Sequence, residues 1–199
     1  MVSSEFFQKP DRSELEDKNY PGFLTKPELR RLFDAAKSNE NHYLWLRMIY
    51  SFGLLITELV FLEVRDLDWA KNQITIRHSQ KLRSRTLQIP IPLQRDLWFA
   101  TRGKSEDAFL FSGRSGRVHP RTIQKMFSKL EEVCGLSVSV IRLRRSLAVH
   151  LIEAGWGVER TREYMGFSSK RSVQELLGPA RNPPVGKMFP LEEILGVAA

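Results

Sequence analysis

This chain has few of the residues that carry redox, metal or disulfide chemistry. It has one cysteine, Cys134, so no internal disulfide forms and no thiolate cluster holds a metal. Within "KLEEVCGL" Cys134 reads as a small buried apolar residue. The four histidines, His42, His78, His119 and His150, are scattered without ligand spacing, so neither a metal nor a cofactor is expected. His150 lies beside Leu147 and Leu151 and reads as a core or interface histidine. No apolar run reaches the roughly 18–20 residues of a membrane span. The opening "MVSSEFFQKPDRSELEDKNYPG" lacks an apolar signal core. A cytoplasmic protein is therefore expected, nucleoid-associated in a prokaryote. No Gly-rich phosphate loop follows a strand, and no βα alternation supports a parallel sheet. Tyrosine is sparse too: Tyr20, Tyr43, Tyr50 and Tyr164 are all there are, with none after position 164.

Positive charge, by contrast, is in excess. The 199 residues carry a net charge of +8, which favours polyanionic partners, nucleic acid first. Residues 1–22 read as a polar arm. "TKPELRRLFDAA" opens a helix, with Thr25 and Glu28 spaced as a capping box. "NHYLWLRMIYSFG" predicts a second helix ending at Gly53, and "ITELVFLEV" a third. The period then changes to two. "QITIRHSQ" and "RTLQIPIP" set Ile74 and Ile76 against Leu87, Ile89 and Ile91, a β-hairpin with a basic tip. A short apolar run and Gly/Ser loop, "DAFLFSGRSGRVHP", leads into the helix "RTIQKMFSKLEEVCG". "RRSLAVHLIEAG", "VERTREYMG" and "SVQELLG" follow as helical stretches. Residues 179–199 form a tail with Met188, Leu191, Ile194 and Leu195 at roughly helical spacing. It is read as docking on a neighbouring copy or on its own domain. Trp45, Trp69, Trp98 and Trp156 read as core or edge packing. The fold class expected is α+β, mainly helical, with a small antiparallel sheet.

Four segments in this order resemble the catalytic domain of tyrosine recombinases, the phage integrase family. "LTKPELRRLFDAA" is similar to its first helix. "YSFGLLITELVFLEVRDLDW" resembles its box tyrosine–x–Thr–Gly–Leu–Arg–x–x–Glu–Leu. "ITIRHSQKLRSRTLQIPI" resembles its lysine-bearing hairpin. "RLRRSLAVHLIEAGWGVERTREYMGFSS" resembles its His-x-x-Arg and Leu-Gly-His boxes. The likeness runs from about Leu24 to Leu177, within residues 23–178, which are taken as one domain. It implies a reaction in which a tyrosine attacks a DNA phosphodiester and forms a 3′-phosphotyrosine. Two arginines clamp the non-bridging oxygens. A lysine protonates the leaving oxygen and histidines assist proton transfer. It also implies a helical domain ahead of this one, so the chain, with about 22 preceding residues, is expected to be half a clamp and to bind weakly.

Carried over position by position, the resemblance keeps only part of that machinery. Lys81, nine residues before Pro90, matches the hairpin lysine, and Arg144 matches the second clamp arginine. The first clamp arginine is replaced by Leu55, the two histidines by Ile141 and Phe167, and the tyrosine by Leu176. All four replacements are apolar. Losing one transition-state donor costs about 3–4 kcal/mol, and losing the nucleophile removes the covalent route. Arg47, eight residues before Leu55 and about 12 Å away along a helix, is not a substitute.

The expectation is thus a double-stranded-DNA-binding, catalytically inactive relative of the recombinases, a regulator or accessory factor. Its partners would be DNA, and an active recombinase or a second copy through the tail, with no membrane. Candidate DNA contacts are Arg77, Lys81, Arg83 and Arg85 on the hairpin, and Arg114, Arg117 and Arg121 at a loop and helix start, where His119 also lies. Arg142, Arg144 and Arg145 complete the set. Solvated turns are the alternative for the first two groups. An internal pair with Glu58 or another carboxylate is the alternative for Arg144. Competing functions are a protein-interaction module that has lost DNA binding, and an active integrase with atypical residues.

Overall fold

In the computed structural model, residues 22–77, 82–114 and 116–177 are described. The expected tail, and the expected arm up to residue 21, lie outside them. Helix α1 (Lys26–Ala36) starts as its sequence predicts. Glu28 N donates to Thr25 Oγ1 at 3.4 Å, and Thr25 N donates to Glu28 Oε2 at 2.7 Å. Leu29, Leu32, Phe33 and Ala36 form its buried face.

Helix α2 (Glu40–Phe52) is the centre of the fold. Residues 44–52 are all buried, as befits a helix packed on every side. Around it stand α1, α3 (Ile56–Val60), α4 (Ile91–Thr101), α5 (Pro120–Cys134) and α6 (Val140–Glu153). Several of its buried polar groups are partnered, while Trp45 Nε1 and Arg47 Nε find no acceptor among the described residues. Tyr50 Oη and His150 Nδ1 lie 2.8 Å apart, Ser51 Oγ donates to Arg47 O at 2.6 Å, and Arg47 pairs with Asp96. His150 is therefore a core histidine, 1% exposed. Gly53 closes α2 in the left-handed region, at φ 59°. A Cβ there would sit 3.1 Å from Leu147 Cδ2. Gly53→Ala is expected to lower unfolding stability by about 1 kcal/mol or more, measured by urea denaturation.

The hairpin forms with a third strand added. Strands β1 (Leu67–Asp68), β2 (Gln73–Ile76) and β3 (Arg85–Gln88) make an antiparallel sheet in that order, with Ile74 opposite Leu87 and Ile76 opposite Arg85. A second small sheet pairs β4 (Ser112–Gly113) with β5 (Gly116–Arg117). Helices α7 (Val158–Tyr164) and α8 (Lys170–Leu177) complete the described chain.

Three expectations need correction. The second strand of the hairpin does not run through "IPIP": it stops at Gln88, and Pro90 caps α4. Pro92 fits there because the first turn of a helix needs no N–H from it. Ile91 is 63% exposed, whereas Leu93 and Leu97 are buried. The third helix ends at Val60, because Leu62 turns its carbonyl away to accept from Leu110 N at 2.7 Å. Of the tryptophans, Trp45 is buried against Phe111, but Trp69 and Trp98 are exposed. Cys134 is buried, and burial pushes its thiol pKa up, away from thiolate reactivity.

Candidate nucleic-acid interface and residual clamp

Gly53 ends α2, and Leu55 N-caps α3 in an extended conformation. Leu55 offers no polar side chain, but its N–H donates to Glu58 Oε2 at 2.8 Å. Glu58, whose side chain is fully buried, receives a guanidinium from another element. Arg85 on β3 donates Nη1 to Oε1 at 2.7 Å and Nη2 to Oε2 at 3.2 Å, a two-pronged pair. Its Nη2 also reaches Phe52 O at 3.2 Å and Gly53 O at 3.5 Å.

Arg85 therefore does not sit at an exposed hairpin tip. Residues alternate faces along a strand, so Arg85 shares the buried face with Leu87 while Thr86 and Gln88 face out. That phase was readable in "RTLQ"; its carboxylate partner, 27 residues away, was not.

Arg144, 4% exposed on α6, hydrogen-bonds the same Gly53 carbonyl through Nη1, with its guanidinium 5.1 Å from the centre of the Phe167 ring. Its pKa is pulled down to about 10, first by burial. Glu58 opposes that shift and Arg85 adds to it. Of the two roles left open for Arg144, ion pairing with Glu58 is occupied by Arg85, and the direct hydrogen bond goes to a carbonyl. The position expected for the first histidine, Ile141, is 66% exposed. Phe167 and Leu176, at the positions expected for the second histidine and the tyrosine, are partly buried against the core.

The remaining arginines fall into distinct groups. Arg77 is half-exposed but pairs with the buried Asp66 at 3.0 Å. Arg142 donates to Ser137 O at 2.6 Å, and Arg145 donates to Leu176 O at 2.7 Å. Arg117 lies 4.3 Å over the Phe61 ring. A carboxylate cancels an arginine's charge, whereas a carbonyl or ring leaves it intact. Arg83, Arg114 and Arg121 are exposed. Lys81 lies outside the described residues.

One basic feature was missed in the sequence. Arg121, Lys125 and Lys129, spaced four apart on α5, are all exposed. They lie opposite the buried Ile123, Met126, Phe127 and Leu130. The i, i+4 spacing was the signal that could have found this face. The capping His119 accepts through Nδ1 from Arg121 N at 3.1 Å, at the end of α5 where Arg121 stands.

A mainly helical domain with small antiparallel sheets and a buried arginine on the Gly53 carbonyl has the tyrosine-recombinase catalytic fold. The chain belongs to the phage integrase family, whose profile matches residues 22–177. It is 27% identical over 163 residues to the tyrosine recombinase XerA of Pyrococcus furiosus, covering 79% of this chain and 57% of that protein. A tyrosine recombinase of Pseudothermotoga lettingae is 28% identical over 153 residues, covering 75% of this chain and 53% of that protein. The chain thus spans little more than half the length of these relatives. Among solved structures, XerA recombinase shares the fold at TM-score 0.69 and 21% identity, over 79% of this chain and 60% of that one. The Tn1549 transposon integrase in complex with circular intermediate DNA does so at TM-score 0.69 and 18% identity, over 85% and 66%. Among the described residues, no helix is long and apolar enough to cross a membrane.

Proposed function

We propose that this chain binds duplex DNA without cutting it, as a regulator or accessory factor in recombination or integration. The observation that carries the reading is the state of the tyrosines. Tyr50 is buried with its hydroxyl against His150. Tyr164 donates to Ser51 O at 2.7 Å, and burial raises its pKa. Arg47 covers the Tyr43 ring at 4.0 Å. Tyr20 lies outside the described residues and outside every matching segment. The position that corresponds to the nucleophile holds Leu176.

Binding is supported by the net charge, by the exposed basic face of α5 with Arg83 and Arg114, and by a family whose solved relatives include DNA complexes. These cations would neutralise backbone phosphates and give affinity with little base readout. A protein-interaction reading is favoured by one observation, the exposed Trp98 (50%) and Phe99 (52%) on α4.

Fluorescence anisotropy on a labelled duplex across salt concentrations separates the two. Affinity should fall with salt at about −0.9 per phosphate contact. Lys125→Ala and Lys129→Ala should each reduce that slope by about 1. No binding at low salt would leave the protein-interaction reading standing.

A further inference from the structure

Helix α4 has an outer face that neither the core nor the basic face of α5 uses. At 3.6 residues per turn, Ile91, Arg95, Trp98, Phe99 and the C-capping Arg102 fall within one arc of about 100°. All five are exposed, opposite the buried Leu93 and Leu97. The stripe runs for three turns, about 16 Å, and contains no carboxylate. Asp96, the one acidic residue of α4, lies off it and pairs with Arg47. Trp98 and Phe99 stand edge to face, with ring centres 5.2 Å apart. Arg102 lies over the Trp98 ring and Arg95 over the Phe99 ring, each guanidinium carbon 5.7 Å from the ring centre. Neither side chain meets a carboxylate among the described residues. The rings hold the two guanidinium groups at the surface without cancelling their charge.

A contiguous apolar stripe rimmed by charge marks an interaction surface, and Trp and Arg are enriched among binding hot spots. The charge narrows the occupant. In a two-fold pair each patch meets itself, which would lay arginine against arginine and oppose pairing. A nucleic acid would satisfy the arginines but not Ile91. The two rings are inclined at 76° to each other and each already carries a guanidinium, so they form no parallel shelves for successive bases.

We propose that this face of α4 docks an acidic amphipathic helix of a partner protein. Apolar side chains of that helix would cover Ile91, Trp98 and Phe99, and glutamates or aspartates on its flanks would meet Arg95 and Arg102. The contact goes beyond DNA binding and does not depend on it, because its residues are not those of the basic α5 face.

The probe is a fluorescein-labelled synthetic helix of about four turns, with leucine and phenylalanine on one face and glutamate on both flanks. It is titrated with the whole chain and read by anisotropy. One control peptide has glutamine for every glutamate, and a second has the same composition scrambled so that no apolar face forms. The wild type should bind the acidic helix saturably and each control about tenfold more weakly or worse. Trp98→Ala and Phe99→Ala should each weaken binding about tenfold or more, as loss of an aromatic anchor does. Arg95→Gln with Arg102→Gln should weaken it and flatten its salt dependence. These side chains are exposed, so urea midpoints should stay at the wild-type value. Lys125→Ala and Lys129→Ala should leave peptide binding within about twofold of wild type. Equal binding of the scrambled peptide, or loss of binding in the lysine variants, would reveal attraction to positive charge in general and overturn the assignment. Absence of peptide binding overturns it as well. So does a wild type that dimerises through Trp98 in sedimentation, or a single-stranded oligothymidine that alone depends on Trp98. Duplex binding is measured separately on the same variants. Its failure removes the DNA-binding reading and leaves this surface standing, and failure of the peptide alone does the reverse.

Discussion

Arg85→Ala is expected to destabilise the protein by about 3–5 kcal/mol, the largest single-residue effect in this fold. The cause is what it leaves behind. Glu58 is enclosed, and without Arg85 its carboxylate keeps only the Leu55 N–H as a direct donor. The side chains of the pair are 5% and 0% exposed, so water does not replace the lost partner. Glu58→Ala should be comparably damaging, because it strands two adjacent guanidinium groups. The double variant Glu58→Met/Arg85→Met removes both charges and should recover most of the loss, since apolar replacement of a whole buried pair is often neutral. Urea denaturation of the wild type, Glu58→Met, Arg85→Met and the double Met variant reads this as a double-mutant cycle. Additive single effects would mean that the pair does not act as a unit.

The second large effect concerns chemistry. Leu176→Tyr returns a phenol to the position that corresponds to the family's nucleophile, yet it should leave DNA essentially uncut. Ile141 and Phe167 still stand where the family has its proton-transfer groups, and such groups contribute typically 10²–10⁴-fold. Adding Ile141→His to Leu176→Tyr should therefore raise covalent adduct formation by about 10²-fold or more, followed as protein retained on a nicked duplex after denaturation. Ile141 is 66% exposed, so the imidazole is tolerated there without repacking. Rapid cleavage by Leu176→Tyr alone would show that the histidine positions are dispensable.

How much of this was legible beforehand differs from element to element. The Thr25–Glu28 box, the left-handed Gly53 and the apolar face of α5 follow from local rules, and the structure has all three. Helix α4 was hidden because "IPIP" alternates like a strand. What decides it is the position of Pro92 in a first turn and the i, i+4 pair Leu93 and Leu97. The apolar residues at positions 55, 141, 167 and 176 stand out only against the family resemblance. The destiny of each arginine was not legible, because it depends on partners brought close only by folding: Glu58 for Arg85, Gly53 O for Arg144, Leu176 O for Arg145. Counting arginines on a hairpin overstates its free charge. Strand phase identifies Arg85 as inward-facing, and only the tertiary structure identifies its carboxylate.

The most direct test of the central claim is one labelled duplex carrying a nick near its centre, incubated with the wild-type chain and resolved on native and denaturing gels. A retarded band is expected on the native gel and no protein-linked DNA on the denaturing one. A band that survives denaturation would contradict it, because it would require a tyrosine able to attack where the fold places Leu176.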